Sequence, residues 1–311
     1  MLKCENLERL DDAARGEDST ITRISKVPAP KITAEMIRDM KARGEKIPAL
    51  TAYDFPMARL LDEVGIPLML IGDSLGMVVL GYPDTTRVTM ADMEHHVRAA
   101  ARAKPRSLVV ADLPYGGYET IESAVTNAKR LVTAGAEAVK AEGGREILPQ
   151  VQAIISSGIP FLGHLGMLPQ HVLEEGGYHV KGKSEPEHQA LLADADALVK
   201  AGAFAIVLEG MPRELAALIT RELRIPTIGI GAGPECDGQI LVINDLLGLT
   251  FGPVPKFARQ YANLSEIISS TVREYCSDVR RGNFPSDAES YHMPELKTSR
   301  KDINFDVELT D

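Results

Sequence analysis

Tryptophan is absent from this chain of 311 residues, and no apolar run approaches the ~18 residues that a membrane-spanning helix needs, so a membrane partner is not expected. Cysteine is scarce. Cys4, Cys236 and Cys276 are odd in number and far apart, with no Cys-x-x-Cys pair and no metal-finger spacing. That pattern argues against a disulfide framework or a structural zinc site and suits a reducing compartment, the cytoplasm. Positive charge is also short: 34 Lys plus Arg stand against 44 Asp plus Glu, a formal charge of -10 that repels a polyphosphate backbone. Nucleic acid is therefore not an expected partner, and a small anionic substrate would need a local cation, meaning a metal or a buried Lys or Arg. Residues 1–30 mix Glu5, Glu8, Asp11, Asp12, Glu17 and Asp18 with scattered basic residues, unlike a secretion signal or a transit peptide, and read as a polar N-terminal extension.

What is present is the make-up of a globular protein long enough for one large core. Over residues 31–282, short apolar β-branched runs alternate with stretches of helical period, the pattern of repeated strand–helix units around a parallel sheet. Strands are expected at Ile47–Ala52, Pro67–Gly72, Leu108–Ala111, Ala138–Lys140, Pro160–Gly163, Ala205–Leu208 and Pro226–Ile230, with a poorer eighth at Leu249–Phe251. Helices fit between them, among others Met90–Ala103, Ile121–Ala134, His188–Ala201 and Arg213–Leu223. Eight such units in about 250 residues fit an α/β fold of the closed (β/α)8 TIM-barrel type better than an open doubly wound sheet. Residues 283–311, with Asn283, Pro285, Ser286 and Asp287 leading a long polar remainder, read as a loosely packed or disordered C-terminal tail.

An internal repeat points the same way. The thirteen residues Leu131–Gly143 align with Leu198–Gly210 at eight identical positions, each copy a helix end, an Ala-Gly-Ala turn and a strand. The Ala-Gly-Ala part alone is ordinary αβ-turn chemistry. The whole alignment, however, sets Glu142 and Glu209 at equivalent strand exits, as expected if both face one barrel mouth.

Other strands also end on a polar residue: Asp73 and Ser74 after Leu70-Ile-Gly, Asp112 after Val109-Val-Ala, Lys140 and Glu142 two apart after Val139, and His164 after Leu162-Gly. Singly, Asp73 fits a helix cap, Asp112 a turn and His164 a hydrogen-bonded core position. Together they are harder to explain structurally, because burying several unpartnered charges is costly. A divalent cation would resolve that cost. Carboxylates with no supporting Cys and a single nearby His make a hard oxygen site that favours magnesium over zinc. A 2-oxo acid suits such an ion, since its carboxylate and ketone oxygens chelate it while Lys140 offsets the remaining charge.

Weaker signals complete the reading. Gly229-Ile-Gly-Ala-Gly233 lacks the last glycine of a dinucleotide loop, Pro234 standing there, and fits close backbone approach at the mouth. Glu175–Lys183 has the small residues and charges of a mobile lid, and equally those of a surface loop. His95 and His96 are adjacent without a His-Glu-x-x-His pattern and read as structural or exposed.

From about Thr33 to about Pro285 the chain resembles the ketopantoate hydroxymethyltransferase family. The resemblance rests on an ordered series: Thr51-Ala-Tyr-Asp54, Gly72-Asp-Ser-Leu-Gly-Met77, Ala111-Asp-Leu-Pro114, Val139-Lys140 with Glu142-Gly-Gly144, Gly163-His-Leu-Gly166 with Pro169-Gln170, Gly176-Gly-Tyr178, Leu208-Glu209, Ile228–Gly233 with Asp237–Val242, and Pro255-Lys-Phe257. It implies a barrel of the phosphoenolpyruvate/pyruvate type, assembled as a large, decamer-like homo-oligomer and working in pantothenate synthesis. It further implies that magnesium is held by Asp73 and Asp112 with Glu142 completing the shell, that Ser74 and Lys140 join Asp73 and Asp112 in contacting substrate, that Glu209 is the general base, and that His164 gives a supporting hydrogen bond. The implied reaction moves the one-carbon unit of 5,10-methylenetetrahydrofolate onto the enolate of 3-methyl-2-oxobutanoate, giving 2-dehydropantoate. Carbon–carbon bond lyases of the isocitrate lyase-like type would share such a site, but they carry a cysteine in a Lys-Lys-Cys-Gly-His loop, which none of the three cysteines here occupies.

Overall fold

Each apolar run keeps one parity inward, and that alternation closes the sheet. In the computed structural model, which describes residues 30–293, eight parallel strands close into a barrel in sequence order. They are β1 (Ile47–Thr51), β2 (Leu68–Ile71), β3 (Leu108–Asp112), β4 (Ala138–Lys140), β5 (Phe161–Gly166), β6 (Ala205–Glu209), β7 (Thr227–Ile230) and β8 (Gly238–Leu241). Ala49, Leu70, Val110, Leu162, Val207 and Ile228 fill the interior, so the barrel is a packed core with no lumen to offer a ligand below its mouth. Outside lie α2 (Phe55–Val64), α4 (Met90–Ala101), α5 (Ile121–Ala134), α6 (Leu148–Ser156), α7 (Glu185–Ala201) and α8 (Arg213–Glu222), following β1 to β6 in turn, while a short α3 (Leu75–Val78) intervenes after β2.

Local chemistry sets the helix ends. The side chains of Asp54, Thr89 and Thr120 accept the free N–H groups that open α2, α4 and α5. α7 starts at Glu185, three residues before the expected His188, because Ser184 and Glu187 form a capping box and Pro186 fits the first turn. The internal repeat has a common physical basis. Gly135 and Gly202 both end their helices in the left-handed region, at φ 118° and 102°, and Ala136 and Ala203 both donate back to the helix, to Leu131 O and Leu198 O.

The eighth strand is not at Leu249–Phe251, which is irregular, but at Gly238–Leu241. Gln239 and the leading glycine dilute the apolar signal there, and pairing with both β1 and β7 supplies what propensity does not.

At the amino end of the strands, α1 (Ala34–Ala42) buries Ile37 against the core. Its Lys41 donates to Thr220 O at 2.6 Å and Ile225 O at 3.1 Å and pairs with Asp237 at 2.9 Å.

The described chain divides into two compact units, residues 30–243 with 254–258, and residues 244–253 with 259–293. The second contains most of α9 (Ile243–Leu247) and all of α10 (Leu264–Arg281), in which no residue is buried. Ile268, Val272, Tyr275 and Val279, spaced four, three and four apart, form an exposed apolar stripe along α10. The expected N-terminal extension, but for Pro30, and the tail beyond residue 293 lie outside the described residues. No described helix is long and apolar enough to cross a membrane.

Candidate active site

The inward parity of the strands continues past the apolar core into charge. Leu108 and Val110 lead to Asp112, Ala138 leads to Lys140 and Glu142, Leu162 to His164, and Ala205 and Val207 to Glu209. All of these lie at the carboxyl ends of β3 to β6, where the loops of a parallel barrel surround a substrate. Register then decides who meets whom. Asp112 and Lys140 are partners across β3 and β4, and Lys140 Nζ stands 2.9 Å from Asp112 Oδ1. The approach is an ion pair without hydrogen-bond alignment, since Oδ1 has no aligned donor.

Asp73, just beyond β2, joins them through its backbone, whose N–H donates to Asp112 Oδ2 at 3.1 Å. This approach needs Gly72, where a Cβ would stand 2.9 Å from Ser74 Oγ and 3.5 Å from Asp112 Oδ2. Ser74 Oγ shares a 2.9 Å hydrogen bond with the hydroxyl of Tyr53.

Lys140 also reaches His164 Nδ1, at 3.3 Å. An ammonium only donates, so Nδ1 accepts and the proton of the neutral ring belongs on Nε2. Burial, then the neighbouring Lys140, hold the imidazole pKa well below its usual value. Nε2 lies 3.2 Å from Glu209 Oε2, again without full hydrogen-bond alignment. Glu209 is placed by Gly166, at φ 102°, where a Cβ would come within 2.1 Å of Glu209 O.

Sequence reasoning did not single out Gln170, which ties the remaining acids together. Its backbone N–H donates to Glu142 Oε2 at 3.0 Å, and its Nε2 donates to Asp73 Oδ2 at 2.7 Å and Leu113 O at 2.9 Å. Its Oε1 accepts from the Tyr118 hydroxyl at 2.7 Å, which fixes the amide orientation. The Pro169-Gln170 pair was visible as a motif, but it lies in the loop after β5, away from any strand exit.

Four buried or nearly buried carboxylates, of Asp73, Asp112, Glu142 and Glu209, thus surround one ammonium. The imbalance appears in their acidities. Burial, reinforced by Asp112, pushes Asp73 up to about 7. Burial and the Asp73 charge raise Glu142 well above the ordinary carboxylate range. Burial lifts Glu209 to about 7 although Lys140 pulls it down. Lys140 is itself raised: burial opposes its charge, but Asp112, Glu142 and Asp73 together outweigh burial.

Among the described residues, no group of three or more His, Cys, Asp or Glu side chains stands in metal-holding geometry. Asp73 and Glu142 direct oxygens to Gln170, and Asp112 faces Lys140. The structure therefore brings Asp73 and Asp112 into contact and leaves Glu142 linked to them through Gln170. The chemistry of the set nevertheless suits a hard cation, being all oxygen, short of positive charge and holding in Asp112 Oδ1 a buried acceptor without an aligned donor.

The weaker signals also find places. Gly231, at φ 65°, packs under Phe257, where a Cβ would come within 2.6 Å of the ring, so Gly229–Gly233 serves close approach. His96 Nδ1 lies 2.7 Å from Tyr53 O, a structural contact. A surface cleft of about 480 Å3 between α4 and α5 has none of the strand-exit residues in its lining, and Glu94 there pairs with both Arg98 and Arg130.

Comparison with known proteins gives a consistent picture. The model of the ketopantoate hydroxymethyltransferase family matches residues 31–287. The 3-methyl-2-oxobutanoate hydroxymethyltransferases of Moorella thermoacetica and Syntrophus aciditrophicus are 52% and 54% identical to the chain, over 84% of its length in each case and 98% and 97% of theirs. Among solved structures, phosphonopyruvate hydrolase with oxalate and magnesium aligns with a TM-score of 0.55 at 15% identity, covering 84% of this chain and 92% of that one. 2,3-Dimethylmalate lyase, of the PEP mutase/isocitrate lyase superfamily, aligns with a TM-score of 0.54 at 19% identity, covering 84% and 93%. At such identities these two likenesses concern the fold alone.

Proposed function

The chain belongs to the ketopantoate hydroxymethyltransferase family of transferases, and from that premise we propose that it adds a hydroxymethyl group to C3 of 3-methyl-2-oxobutanoate, forming 2-dehydropantoate for pantothenate synthesis, with 5,10-methylenetetrahydrofolate as the one-carbon donor. The observation that carries this reading is the pairing of two opposed groups in one buried site. Glu209 has a carboxylate raised to about 7, and Lys140 keeps its proton among three other acids.

A carboxylate of that acidity is suited to remove a proton from a carbon beside a ketone. Glu209 takes the C3 proton, and neutral His164, with its proton on Nε2, steadies the carboxylate 3.2 Å away. Lys140 holds the oxo acid and stabilises negative charge on its oxygen more as the enolate forms than in the ketone, which is the differential binding that catalysis requires. Ser74, steadied by Tyr53, offers a hydroxyl to the substrate carboxylate. Magnesium, for which Asp73 and Asp112 with Glu142 beside them are the oxygen donors, would supply Lewis acidity at the ketone when bound. C3 then forms a bond to the one-carbon unit as one of that carbon's two bonds to folate nitrogen breaks, and water displaces the second nitrogen to give the new hydroxyl. The proton lost from C3 and the proton lost from water end on the two nitrogens, leaving tetrahydrofolate.

A homo-oligomer is part of the same proposal, supported by the exposed stripe of α10. The deciding experiment is an assay with 3-methyl-2-oxobutanoate and 5,10-methylenetetrahydrofolate, with and without a chelator. Chelator-sensitive 2-dehydropantoate is expected. No product under either condition would redirect the assignment to a carbon–carbon bond lyase of the isocitrate lyase-like type.

A further inference from the structure

The folate donor must bring its one-carbon unit to C3 from the open end of the barrel, because the interior below the site is filled by Leu70, Val110, Leu162 and Val207. The loop after β5, whose Gln170 binds Asp73 and Glu142, is tied on both flanks. On one side the Tyr178 hydroxyl lies 3.7 Å from Met77 Sδ in α3, after β2. On the other, Tyr115, after β3, donates to Glu174 at 3.0 Å and sets its ring edge-on to His171 at 6.5 Å. Gly176 and Gly177, at φ 70° and 139°, make the turn that presents Tyr178.

Tyr178 and Met77 are 47% and 39% exposed, a half-open apolar ledge over a charged floor. Gln170 anchors one end of this loop on Asp73 and Glu142, and at the other the Lys181 N–H donates to Gly210 O at 3.0 Å, beside Glu209, so the loop that carries Tyr178 runs next to the acids. The flat uncharged ring of a folate is the part that suits an apolar ledge, and its carboxylate tail is the part that belongs in solvent. Lys181 and Lys183 follow Tyr178 on the same loop, where a carboxylate tail directed outwards would meet positive charge, Lys181 sharing its own with Glu175 at 2.8 Å. A tyrosine ring beside a polarisable thioether is a surface suited to stacking with such a ring.

We propose that Tyr178 and Met77 form the ledge on which the pteridine ring of the reduced folate stacks, with its carboxylate tail pointing out over Lys181 and Lys183. The inference rests on the hydroxymethyl transfer proposed above and assigns the seat of its second substrate.

Two variants test it, Tyr178→Ala and Tyr178→Phe, with the KM for 5,10-methylenetetrahydrofolate measured at saturating oxo acid and tetrahydrofolate binding measured by equilibrium dialysis. Removal of the ring should raise the folate KM and the dialysis Kd by about tenfold or more, with a far smaller change in the KM for the oxo acid. Phenylalanine keeps the ring and loses only the hydroxyl contact to Met77, so it should stay within about twofold of the unaltered protein. A folate KM insensitive to Tyr178→Ala would overturn the assignment, as would a phenylalanine variant as impaired as alanine, because the hydroxyl latch would then be what matters. The underlying reaction is tested apart from this, by exchange of the C3 proton with solvent deuterium in the unaltered protein without folate. Absence of exchange there would count against the hydroxymethyl transfer itself.

Discussion

Asp112 and Lys140 are register partners on adjacent strands, and their charged ends meet 2.9 Å apart with 3% and 4% of the side chains exposed. Neither can be removed alone without leaving a charge in the core. Lys140→Met should lower stability by about 3–5 kcal/mol, the cost of breaking a buried pair, and the double variant with Asp112→Asn should recover part of it. Urea unfolding of Lys140→Met, Asp112→Asn and the double variant checks this. A double-variant loss equal to the sum of the two single losses would mean that the pair is not coupled.

Glu209→Gln keeps the shape of the side chain and removes the base. Binding of magnesium and oxo acid should stay close to normal while exchange of the C3 proton with deuterium is abolished. Proton NMR of the substrate in deuterated buffer reads the outcome, and undiminished exchange would take Glu209 out of its role.

The raised pKa of Glu209 gives two pH dependences of opposite direction. As a base it must be ionised, so kcat/KM for the oxo acid should rise with pH through about 7. For folding the sign reverses. A carboxyl raised in the folded state is protonated there when the unfolded chain has already lost its proton, so the metal-free protein should lose stability as pH rises from about 4.5 to about 7 and level off above. Replacement by Gln should remove its share of that slope, to which Asp73 contributes over the same range, and chemical unfolding across the range measures it.

Gln170→Leu leaves Asp73 Oδ2 and Leu113 O without this buried donor, while the Tyr118 hydroxyl keeps Glu142 O at 3.1 Å and the backbone donor to Glu142 survives. The expected loss is about 2–4 kcal/mol in the metal-free protein. An unaltered melting temperature would show that the amide is not needed to hold the acids.

If the α10 stripe mediates assembly, the paired change Ile268→Asp and Val272→Asp should reduce the mass in solution without unfolding the barrel. Sedimentation of both proteins at one concentration tests this. An unchanged mass would place the subunit contact elsewhere.

The barrel was readable because its strands announce themselves by apolar runs such as Leu108–Ala111 and, in β3 to β6, again by the polar residue that ends the inward row. Asp112, Lys140, Glu142, His164 and Glu209 were legible for that reason: a strand fixes where its next inward side chain points. Gln170 had no such rule behind it. It reaches Asp73 across 97 residues of chain from a loop whose path depends on everything beneath it. That acids would gather at the strand exits was legible, but the turn of each carboxylate was not, because it depends on local donors such as Gln170 and Lys140. β8 was missed since its four residues are specified by two neighbours more than by their own composition.

Lys41 and Asp237 fasten one end of the strands, and the charged cluster occupies the other. A change in the loops of the mouth therefore works on groups that share no partner with the fastening below. Substitutions at the two ends should combine additively, and the mouth can be recut for a different oxo acid without loosening the base of the molecule.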